Sequence, residues 1–341
     1  MSTTMFNGKT ILITGGTGSF GHGFVRFVLT NFNPQKVIVL SRDELKQFKM
    51  AQEFFPRYEK RLRFFIGDIR DLSRLERAFN GIDIVIHAAA LKQVSALEYN
   101  PIEAIQTNII GTQNVINAAI NRGVKKILLL STDKCVEPIN LYGATKLCAE
   151  KLFIASNAYA LGKSRFSIVR YGNVMGSRGS IIETILAGDE NTPVTITHKD
   201  MTRFWLTLDK CFALVLGAMK VMVGGEIFVP KVPSLGIMDI CKTLAPKRKK
   251  VFIGVRPGEK IHETLITEEE ARRTFDTGDY YVILPSSLEI TAYHKYKNKG
   301  KTLPAGFTYN SRTNQMVLSK EELIKFTNAY DPLRSPKYYK A

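Results

Sequence analysis

The sequence has few of the features that mark a secreted or membrane-spanning protein. It contains only four cysteines and five histidines in 341 residues, with no CxxC pair and no metal-ligand spacing among the histidines. The longest apolar stretch, Cys211 to Val223, is broken by Lys220 and is shorter than the roughly 20 residues that a bilayer requires. The polar N-terminus predicts no signal peptide. We therefore expect reduced thiols, no metal and a cytoplasmic protein without a membrane partner.

The composition is that of a globular protein with an excess of positive charge. Hydrophobic residues make up 45% of the chain and charged residues 23%, which excludes disordered and collagen-like classes. The net charge of +17 fits a nucleic-acid binder, an enzyme for polyanionic substrates or a lysine-rich solvated surface. The densest basic run, residues 247–250, is predicted to form a loop between a helix and a strand. It has no interleaved aromatic residues, so we expect no nucleic-acid partner.

Strands and helices alternate through the first two-thirds of the chain. The predicted strands are residues 10–14, 37–40, 62–67, 83–87, 127–130 and 166–170, and the predicted helices are 20–30, 43–54, 71–79, 101–122 and 141–159. Apolar strands between helices predict a doubly wound parallel Rossmann sheet with a smaller mixed α/β C-terminal lobe. We assign the Rossmann domain to residues 1–172, with a strand returning near 226–230, and the smaller lobe to residues 173–341.

A glycine-rich turn follows the first predicted strand. Its glycines stand in a GxxGxxG rather than a GxGxxG spacing. The first permits a tight turn, the second lets the backbone approach a pyrophosphate, and the third lets the helix pack on the sheet. Because the next helix presents free N–H groups to an anion, the turn predicts dinucleotide binding. The expected contacts are Gly15, Thr17, Gly18, Ser19, Phe20 and Gly21.

The residues after the second strand distinguish NADP from NAD. Ser41 and Arg42 precede Asp43, and Lys46 lies one helical turn further on. A hydroxyl and two cations suit the 2′-phosphate of NADP better than the ribose hydroxyls of NAD, so we favour NADP. Asp43 is then a helix cap, and its alternative role is an NAD contact. The other expected cofactor contacts follow the third and fourth strands: Asp68, Ile69, Ala88, Ala89, Ala90 and Lys92.

A tyrosine and a lysine in a YxxxK spacing supply candidate catalytic groups. Tyr142 and Lys146 lie on one face of the predicted helix, where the ammonium is expected to lower a phenol pKa that starts at about 10. A tyrosinate can take a hydroxyl proton while hydride leaves the same carbon for a nicotinamide, which both residues would contact. Thr132, at the end of the fifth strand, can hydrogen-bond the same substrate oxygen.

These features resemble the extended short-chain dehydrogenase/reductase superfamily over nearly the whole chain. Thr132-Asp133-Lys134 is the informative segment, because epimerases of the superfamily need only the tyrosine and retaining sugar-nucleotide dehydratases carry Asp-Glu after the threonine. The chain resembles the inverting UDP-N-acetylglucosamine 4,6-dehydratases in this segment and in SRDELKQ, HAAALKQV, NLYGATK, RYGNVMGSRGS, MTRFW and RPGEK.

The resemblance implies C4 oxidation, water elimination and C6 reduction with bound NADP. Tyr142 would deprotonate the 4-hydroxyl, Lys134 would take the C5 proton as a neutral base, and Asp133 would protonate the leaving C6 oxygen. Partial burial and the nearby Lys146 are expected to keep Lys134 neutral. The product would be UDP-2-acetamido-2,6-dideoxy-β-L-arabino-hex-4-ulose, inverted at C5, in the first step toward pseudaminic acid-type sugars.

The resemblance also implies substrate contacts, with arginines suited to a diphosphate, and a smaller lobe that mainly binds substrate. The implied contacts are Lys92, Thr132, Tyr142, Asn173, Arg178, Arg203, Arg256 and Glu259. A homo-oligomer, hexamer or dimer, is implied as well. Two alternatives are a UDP-sugar 4-epimerase, which would have no use for Asp133 and Lys134, and a non-catalytic NADP-binding regulator, which would not require Tyr142 with Lys146.

Overall fold

The computed structural model describes residues 4–175, 180–286 and 293–329. In the N-terminal half, strands and helices alternate. The elements are β1 (Thr10–Thr14), α1 (Ser19–Asn31), β2 (Lys36–Ser41), α2 (Glu44–Tyr58), β3 (Leu62–Ile66), α3 (Leu72–Ala78), β4 (Ile84–His87), α4 (Val94–Tyr99), α5 (Pro101–Ile105), α6 (Gly111–Asn121), β5 (Lys126–Thr132), α7 (Leu141–Tyr159) and β6 (Arg165–Tyr171). A π-helical turn, Gln106–Ile110, joins α5 to α6, and a 3-10 turn, Asp133–Cys135, follows β5.

The C-terminal half has shorter strands and fewer long helices. Its elements are β7 (Asn173–Val174), α8 (Ile181–Ala187), β8 (Val194–Ile196), β9 (Thr202–Leu206), α9 (Leu208–Val221), β10 (Ile227–Pro230), β11 (Ser234–Gly236), α10 (Ile237–Leu244), β12 (Lys250–Phe252), β13 (Thr264–Ile266), α11 (Glu268–Ala271), β14 (Thr274–Asp276), β15 (Tyr280–Ile283), α12 (His294–Lys299), β16 (Lys301–Thr302), β17 (Tyr309–Asn310) and α13 (Lys320–Ala329).

The central sheet confirms the doubly wound α/β prediction. Its parallel part runs in the order β3-β2-β1-β4-β5-β6-β10. The sheet then continues through β15, β14 and β16, each antiparallel to its neighbour, which the sequence did not predict. All residues of β1 and β10 are buried, as expected for strands covered on both faces.

Two hydrophobic clusters stabilise the fold. The larger one lies around the central sheet and the helices on both of its faces. The smaller one includes Trp205 and Ile240 and joins α8, α10 and α13 with β8 and β9. Among the residues described, no helix is long and apolar enough to cross a membrane.

The basic run at 247–250 does lie between a helix and a strand, but it is not wholly a solvated loop. Arg248 is buried, and its guanidinium donates hydrogen bonds to the carbonyl oxygens of Thr192, Ile185 and Gly188. This arginine therefore has a structural contact within the smaller lobe.

Candidate active site

A cleft of about 660 Å³ opens at the carboxyl ends of the parallel strands. This is where ligands bind in open α/β sheets. Every residue predicted to contact the cofactor lines the cleft, as do Thr132, Lys134 and Asn173. The parallel register brings the ends of β1, β4, β5 and β6 to one edge, so groups far apart in sequence meet here.

The glycine turn forms one wall of the cleft and has the shape that a dinucleotide needs. Gly15 has a φ of +64°, and a Cβ there would lie 2.8 Å from the Ala89 Cα. Helix α1 begins directly after Gly18, which offers no side-chain cap to its first N–H groups. A free helix N-terminus beside a glycine-rich turn fits a pyrophosphate.

The cations after β2 line the cleft, and so does Asp43, whose carboxylate is held by its own helix. The Asp43 carboxylate accepts a hydrogen bond from the Lys46 backbone N–H at 2.9 Å and pairs with its ammonium at 2.5 Å. Asp43 is therefore the N-cap of α2. The Arg42 guanidinium is half-exposed and lies 3.4 Å from the Asp68 carboxylate.

Asp68 is already engaged with arginines. It accepts hydrogen bonds from the backbone and side chain of Arg70, each at 2.9 Å. Burial raises the pKa of Asp68, but the Arg70 hydrogen bonds and the charges of Arg42 and Arg70 outweigh it, so the pKa lies below its ordinary value. The carboxylate is thus an ionised acceptor at the rim of the cleft.

A buried histidine fixes the small residues that follow β4. The Thr14 hydroxyl bonds His87 Nδ1 at 2.7 Å, and His87 Nε2 bonds the Thr112 hydroxyl at 3.1 Å. Burial, together with the charge of Lys146, lowers the pKa of His87 to about 3, so the ring is neutral. Thr14 also accepts the backbone N–H groups of Ala88 and Ala89 at 3.2 Å. Sequence reasoning gave these polar residues no role.

A glycine in α7 determines where the Asp133–Lys134 turn can lie. Asn140 caps α7 by accepting the Gly143 N–H at 2.8 Å. A Cβ at Gly143 would overlap the carbonyl oxygen of Lys134. The helix carrying Tyr142 can therefore approach the 3-10 turn only because residue 143 has no side chain.

Lys134 lies between two carboxylates. Its Nζ is 3.1 Å from Asp133 Oδ1 and 3.5 Å from Glu263 Oε1, and 26% of its side chain remains exposed to the cleft. Burial lowers the pKa of Lys134, but the charges of Asp133 and Glu263 outweigh burial, so the pKa lies above its ordinary value. The expectation that burial and Lys146 keep this amine neutral is therefore wrong, because the nearest charges are negative.

Tyr142 lies beside Thr132 and Lys134. Burial raises its pKa to about 12, while the charge of Lys134 and a hydrogen bond with the Thr132 hydroxyl act to lower it. Lys146 instead donates to the Leu130 carbonyl at 2.7 Å, and burial lowers its own pKa to about 8. The main cation acting on the phenol is therefore Lys134, not Lys146 as the YxxxK spacing had suggested.

Arg203, Arg256 and Glu259, predicted as substrate contacts in the smaller lobe, do not line this cleft. Arg203 is buried, and it donates to the carbonyl oxygens of Thr202, Ile261 and Lys260. On β9, the Arg203 guanidinium is directed toward these backbone carbonyls and not toward the cleft. Glu259 is 3.8 Å from Arg203, and Arg256 is exposed in the loop before β13. Arg178 lies outside the described residues.

Among the residues that the structure describes, three buried oxygens near the cleft have no hydrogen-bond partner: Asp133 Oδ2, Glu263 Oε2 and Asn173 Oδ1. Buried polar atoms are rarely left unpaired, so these oxygens suit a site that takes a polar ligand. Glu263 was missed by sequence reasoning, since no motif links it to a lysine so far away along the chain.

A second cavity of about 460 Å³ lies in the smaller lobe, between the segment 198–202 and Met238, His262 and Arg312. It shares no lining residue with the cleft. Within the described ranges, no group of three or more His, Cys, Asp or Glu side chains is arranged to hold a metal ion.

The chain is similar to proteins named for nucleotide-sugar reactions. It is 47% identical over 95% of its length to the UDP-N-acetylglucosamine 4,6-dehydratase (inverting) of Campylobacter jejuni, covering 98% of that protein. It is 40% identical over 96% of its length to a UDP-glucose 4-epimerase of Rickettsia akari, covering 97% of that protein.

Solved structures agree with the fold. Pen from Bacillus thuringiensis superposes with a TM-score of 0.84 at 39% identity, covering 95% of this chain and 98% of that one. UDP-glucuronic acid 4-epimerase from Bacillus cereus, solved with UDP-glucuronic acid and NAD, gives a TM-score of 0.64 at 25% identity over 74% of this chain and 88% of that one. Residues 11–285 match the family described as polysaccharide biosynthesis protein. The chain therefore belongs to this polysaccharide biosynthesis family and, within the extended short-chain dehydrogenase/reductases, to the inverting UDP-N-acetylglucosamine 4,6-dehydratases.

Proposed function

We propose that this protein converts UDP-N-acetylglucosamine into UDP-2-acetamido-2,6-dideoxy-β-L-arabino-hex-4-ulose by removing water and inverting C5. The observation that carries the proposal is the Lys134 amine 3.1 Å from the buried Asp133 carboxylate, beside Tyr142 in a nucleotide-sized cleft. A base and an acid in contact are what an elimination requires and what a 4-epimerase does not use.

The cleft has the features of a nicotinamide dinucleotide site. The Gly15 turn and the uncapped start of α1 would hold the pyrophosphate, and the alanines after β4 leave room for the rings. When bound, a nicotinamide cofactor supplies the acceptor and donor of hydride. Arg42 and Lys46 line the cleft where the adenosine ribose would lie, so we propose NADP as the cofactor.

Tyr142 would act at the 4-hydroxyl. The Thr132 hydroxyl donates to Asp133 Oδ1 at 3.0 Å and hydrogen-bonds the phenol, so it can orient Tyr142. To bind the same substrate oxygen, it would exchange its bond to Asp133 for one to the substrate. With a pKa of about 12, the phenol is protonated at neutral pH, so it must give its own proton to solvent before it can take the 4-hydroxyl proton. Lys134 favours that loss through its charge, and Lys146 packs beneath the site on the Leu130 carbonyl.

Asp133 and Lys134 would carry out the elimination. A proton moved from Lys134 Nζ to Asp133 Oδ1, along their 3.1 Å contact, leaves a neutral amine and a protonated carboxyl. The amine can then take the C5 proton, and the carboxyl can give its proton to the departing C6 oxygen. Afterwards the ammonium and carboxylate are restored. Once C6 has been reduced, C5 would take up one proton on the face opposite Lys134, which inverts it, and the proton released from the 4-hydroxyl balances this uptake.

Residues 1–172 would form the cofactor domain, and residues 173–341 would mainly bind substrate. Asn173 has an unpartnered buried oxygen in the cleft, and Lys92 lines it, so both are proposed substrate contacts. For Arg178, Arg203, Arg256 and Glu259 the proposal rests on the family resemblance alone, and Arg203 would first have to exchange its backbone carbonyl partners for a diphosphate.

The protein would be a cytoplasmic homo-oligomer, and its product would enter the synthesis of pseudaminic acid-type sugars. These three points rest on the resemblance to the inverting dehydratases.

The test of the activity is to incubate the purified protein with UDP-N-acetylglucosamine and to analyse the product by mass spectrometry and NMR. We expect a product lighter by one water with a C4 ketone. Cofactor released by denaturation identifies NADP or NAD, and Arg42→Ala should weaken NADP binding about 10-fold or more while leaving NAD binding unchanged. A product of unchanged mass that is epimeric at C4 would overturn the proposal.

The second candidate is a UDP-sugar 4-epimerase, which the names of the Rickettsia relatives favour. It predicts that Asp133 and Lys134 are dispensable while Tyr142 is essential. A Lys134→Met variant that still epimerises at the wild-type rate would support it.

A further inference from the structure

The carboxylate on the far side of Lys134 comes from a distant part of the chain. Glu263 is almost wholly buried, with 1% of its surface exposed, directly before β13. Its Oε1 is 3.5 Å from Lys134 Nζ and 3.9 Å from Arg203 Nε, and its Oε2 has no hydrogen-bond partner among the residues described. Burying a carboxylate costs free energy, which the two cations at Oε1 offset.

The backbone around Glu263 is fixed from two sides. Its N–H donates to the Ser311 hydroxyl at 2.9 Å, and its carbonyl accepts the Ser311 N–H at 2.8 Å. Two residues on, the Leu265 carbonyl accepts from Arg170, which also forms a buried pair with Glu150 on α7. The carboxylate is therefore presented by a rigid segment tied to the same helix that carries Tyr142.

We infer that Glu263 is a positioning residue for Lys134, which anchors the amine in the cleft and, together with Asp133, sets the pH at which the amine loses its proton. The inference rests on the proposed function, because a lysine base has to be both held in place and neutral when it acts. Asp133 can accept the proton of Lys134, and Glu263 holds the amine in place. Glu263 lies outside the Thr132-Asp133-Lys134 segment that resembles the family.

The charges facing this pair come from four elements. Lys134 faces Asp133 on its own turn, Glu263, Arg203 on β9 and the Tyr142 phenol on α7. Burial, with the charge of Asp133, raises the pKa of Glu263 above its ordinary value. The charges of Lys134, Arg203 and Lys260 oppose this rise without outweighing it. Removing the Glu263 charge leaves Lys134 with one carboxylate and an unchanged Arg203, so its ammonium form loses stability.

The first test measures Lys134 directly, without turnover. Lysine labelled with ¹³C at Cε is titrated by NMR in the full-length protein, and Lys134→Met assigns its signal. Glu263→Gln should lower the Lys134 pKa by about 1 to 3 units, the usual effect of one close charge. Glu263→Asp keeps the negative charge, so the Lys134 pKa should stay close to its wild-type value. Glu226→Gln removes another buried carboxylate, one bonded to Ser167 and Tyr296, and should leave the Lys134 pKa unchanged.

The second test follows C5 proton exchange and dehydration against pH. The active form of the Asp133–Lys134 pair carries one proton, so in Glu263→Gln the basic limb of the rate profile should move to lower pH by about 1 to 3 units. The plateau should fall because the amine has lost an anchor. Wild-type protein without dehydratase activity would refute the proposed function yet leave the titration to decide on Glu263. An unchanged Lys134 pKa in a folded Glu263→Gln variant would overturn the inference.

Discussion

Lys134 and Lys146 both line the cleft, twelve positions apart in sequence, and their surroundings act on them in opposite directions. Lys134 faces two carboxylates, which hold its pKa above the ordinary value. Lys146 is 4% exposed, donates to a backbone carbonyl and has its pKa lowered by burial to about 8. The comparison shows that burial alone does not decide the charge of an active-site lysine. The charge also depends on whether the buried amine contacts a carboxylate or a neutral carbonyl.

The two environments also separate two tasks. A lysine with a pKa of about 8 can gain or lose its proton when a cofactor or substrate brings charge nearby. Among the residues described, it has no carboxylate beside it to take that proton. A lysine paired with a carboxylate can pass a proton to that partner and recover it. The second arrangement is what an elimination needs, and only Lys134 has it.

The largest expected effect comes from removing the Lys134 amine. Lys134→Met removes the proposed base, so the rate of water loss should fall by about 10² to 10⁴, the usual contribution of general acid–base catalysis. Binding of UDP-N-acetylglucosamine, measured by calorimetry, should persist. Lys151→Met, on the exposed face of α7, is the matched control and should keep full activity. A Lys134→Met rate within tenfold of wild type would contradict the assignment.

The next effect tests the lowered pKa of Lys146 by measuring how the free energy of unfolding changes with pH. Because its pKa falls from 10.5 to about 8 on folding, the unfolded chain binds more protons between those pH values. Lys146 therefore makes the free energy of unfolding rise with pH across that window, by about 3 kcal/mol in all. Urea unfolding from pH 7.5 to 10 should show this rise in wild type relative to Lys146→Met. A difference that does not change with pH would mean that Lys146 titrates normally.

A smaller effect tests how the Lys134 turn is positioned. Gly143→Ala forces α7 away from the Lys134 carbonyl, which should destabilise the fold by about 1–3 kcal/mol and slow the reaction. Cys148→Ala, at an exposed site on the same helix, is the control. Thermal unfolding and turnover are the measurements, and an active, fully stable Gly143→Ala would show that the close approach is dispensable.

The smallest effect asks which lysine acts on the tyrosine. In Lys134→Met the pKa of Tyr142 should rise further above its ordinary value, because a charge that lowers this pKa is gone. In Lys146→Met it should stay the same. Titration of tyrosine labelled with ¹³C at Cζ, assigned with Tyr142→Phe, distinguishes these outcomes. A rise only in the Lys146 variant would restore the role that the sequence spacing suggested.

The sequence predicted those parts of the fold that depend on local patterns. Helix α7 begins and ends where its apolar pattern predicted, and the turn from Gly15 to Gly21 is specified within eight residues that start at Thr14. The π-helical turn after Ile105 and the strands β14 to β16 were missed, because segments of two to five residues carry no readable period.

The site could be predicted only in part, for a related reason. Tyr142, Lys146, Asp133 and Lys134 stand in short motifs, so spacing identified them. Their protonation depends on Glu263, Leu130 and Arg203, which the tertiary fold brings together and no spacing rule connects. The charge states assigned to Lys134 and Tyr142 from sequence were therefore the least reliable predictions.

The most direct test of the central claim is the fate of C5 during turnover in deuterated water. Wild-type protein with UDP-N-acetylglucosamine should give, by proton NMR, a 4-keto product with deuterium at C5 and an L-arabino ring. Lys134→Met should form this product about 10² to 10⁴ times more slowly. A product that keeps the C5 stereochemistry, or one that forms at the wild-type rate without Lys134, would contradict the account.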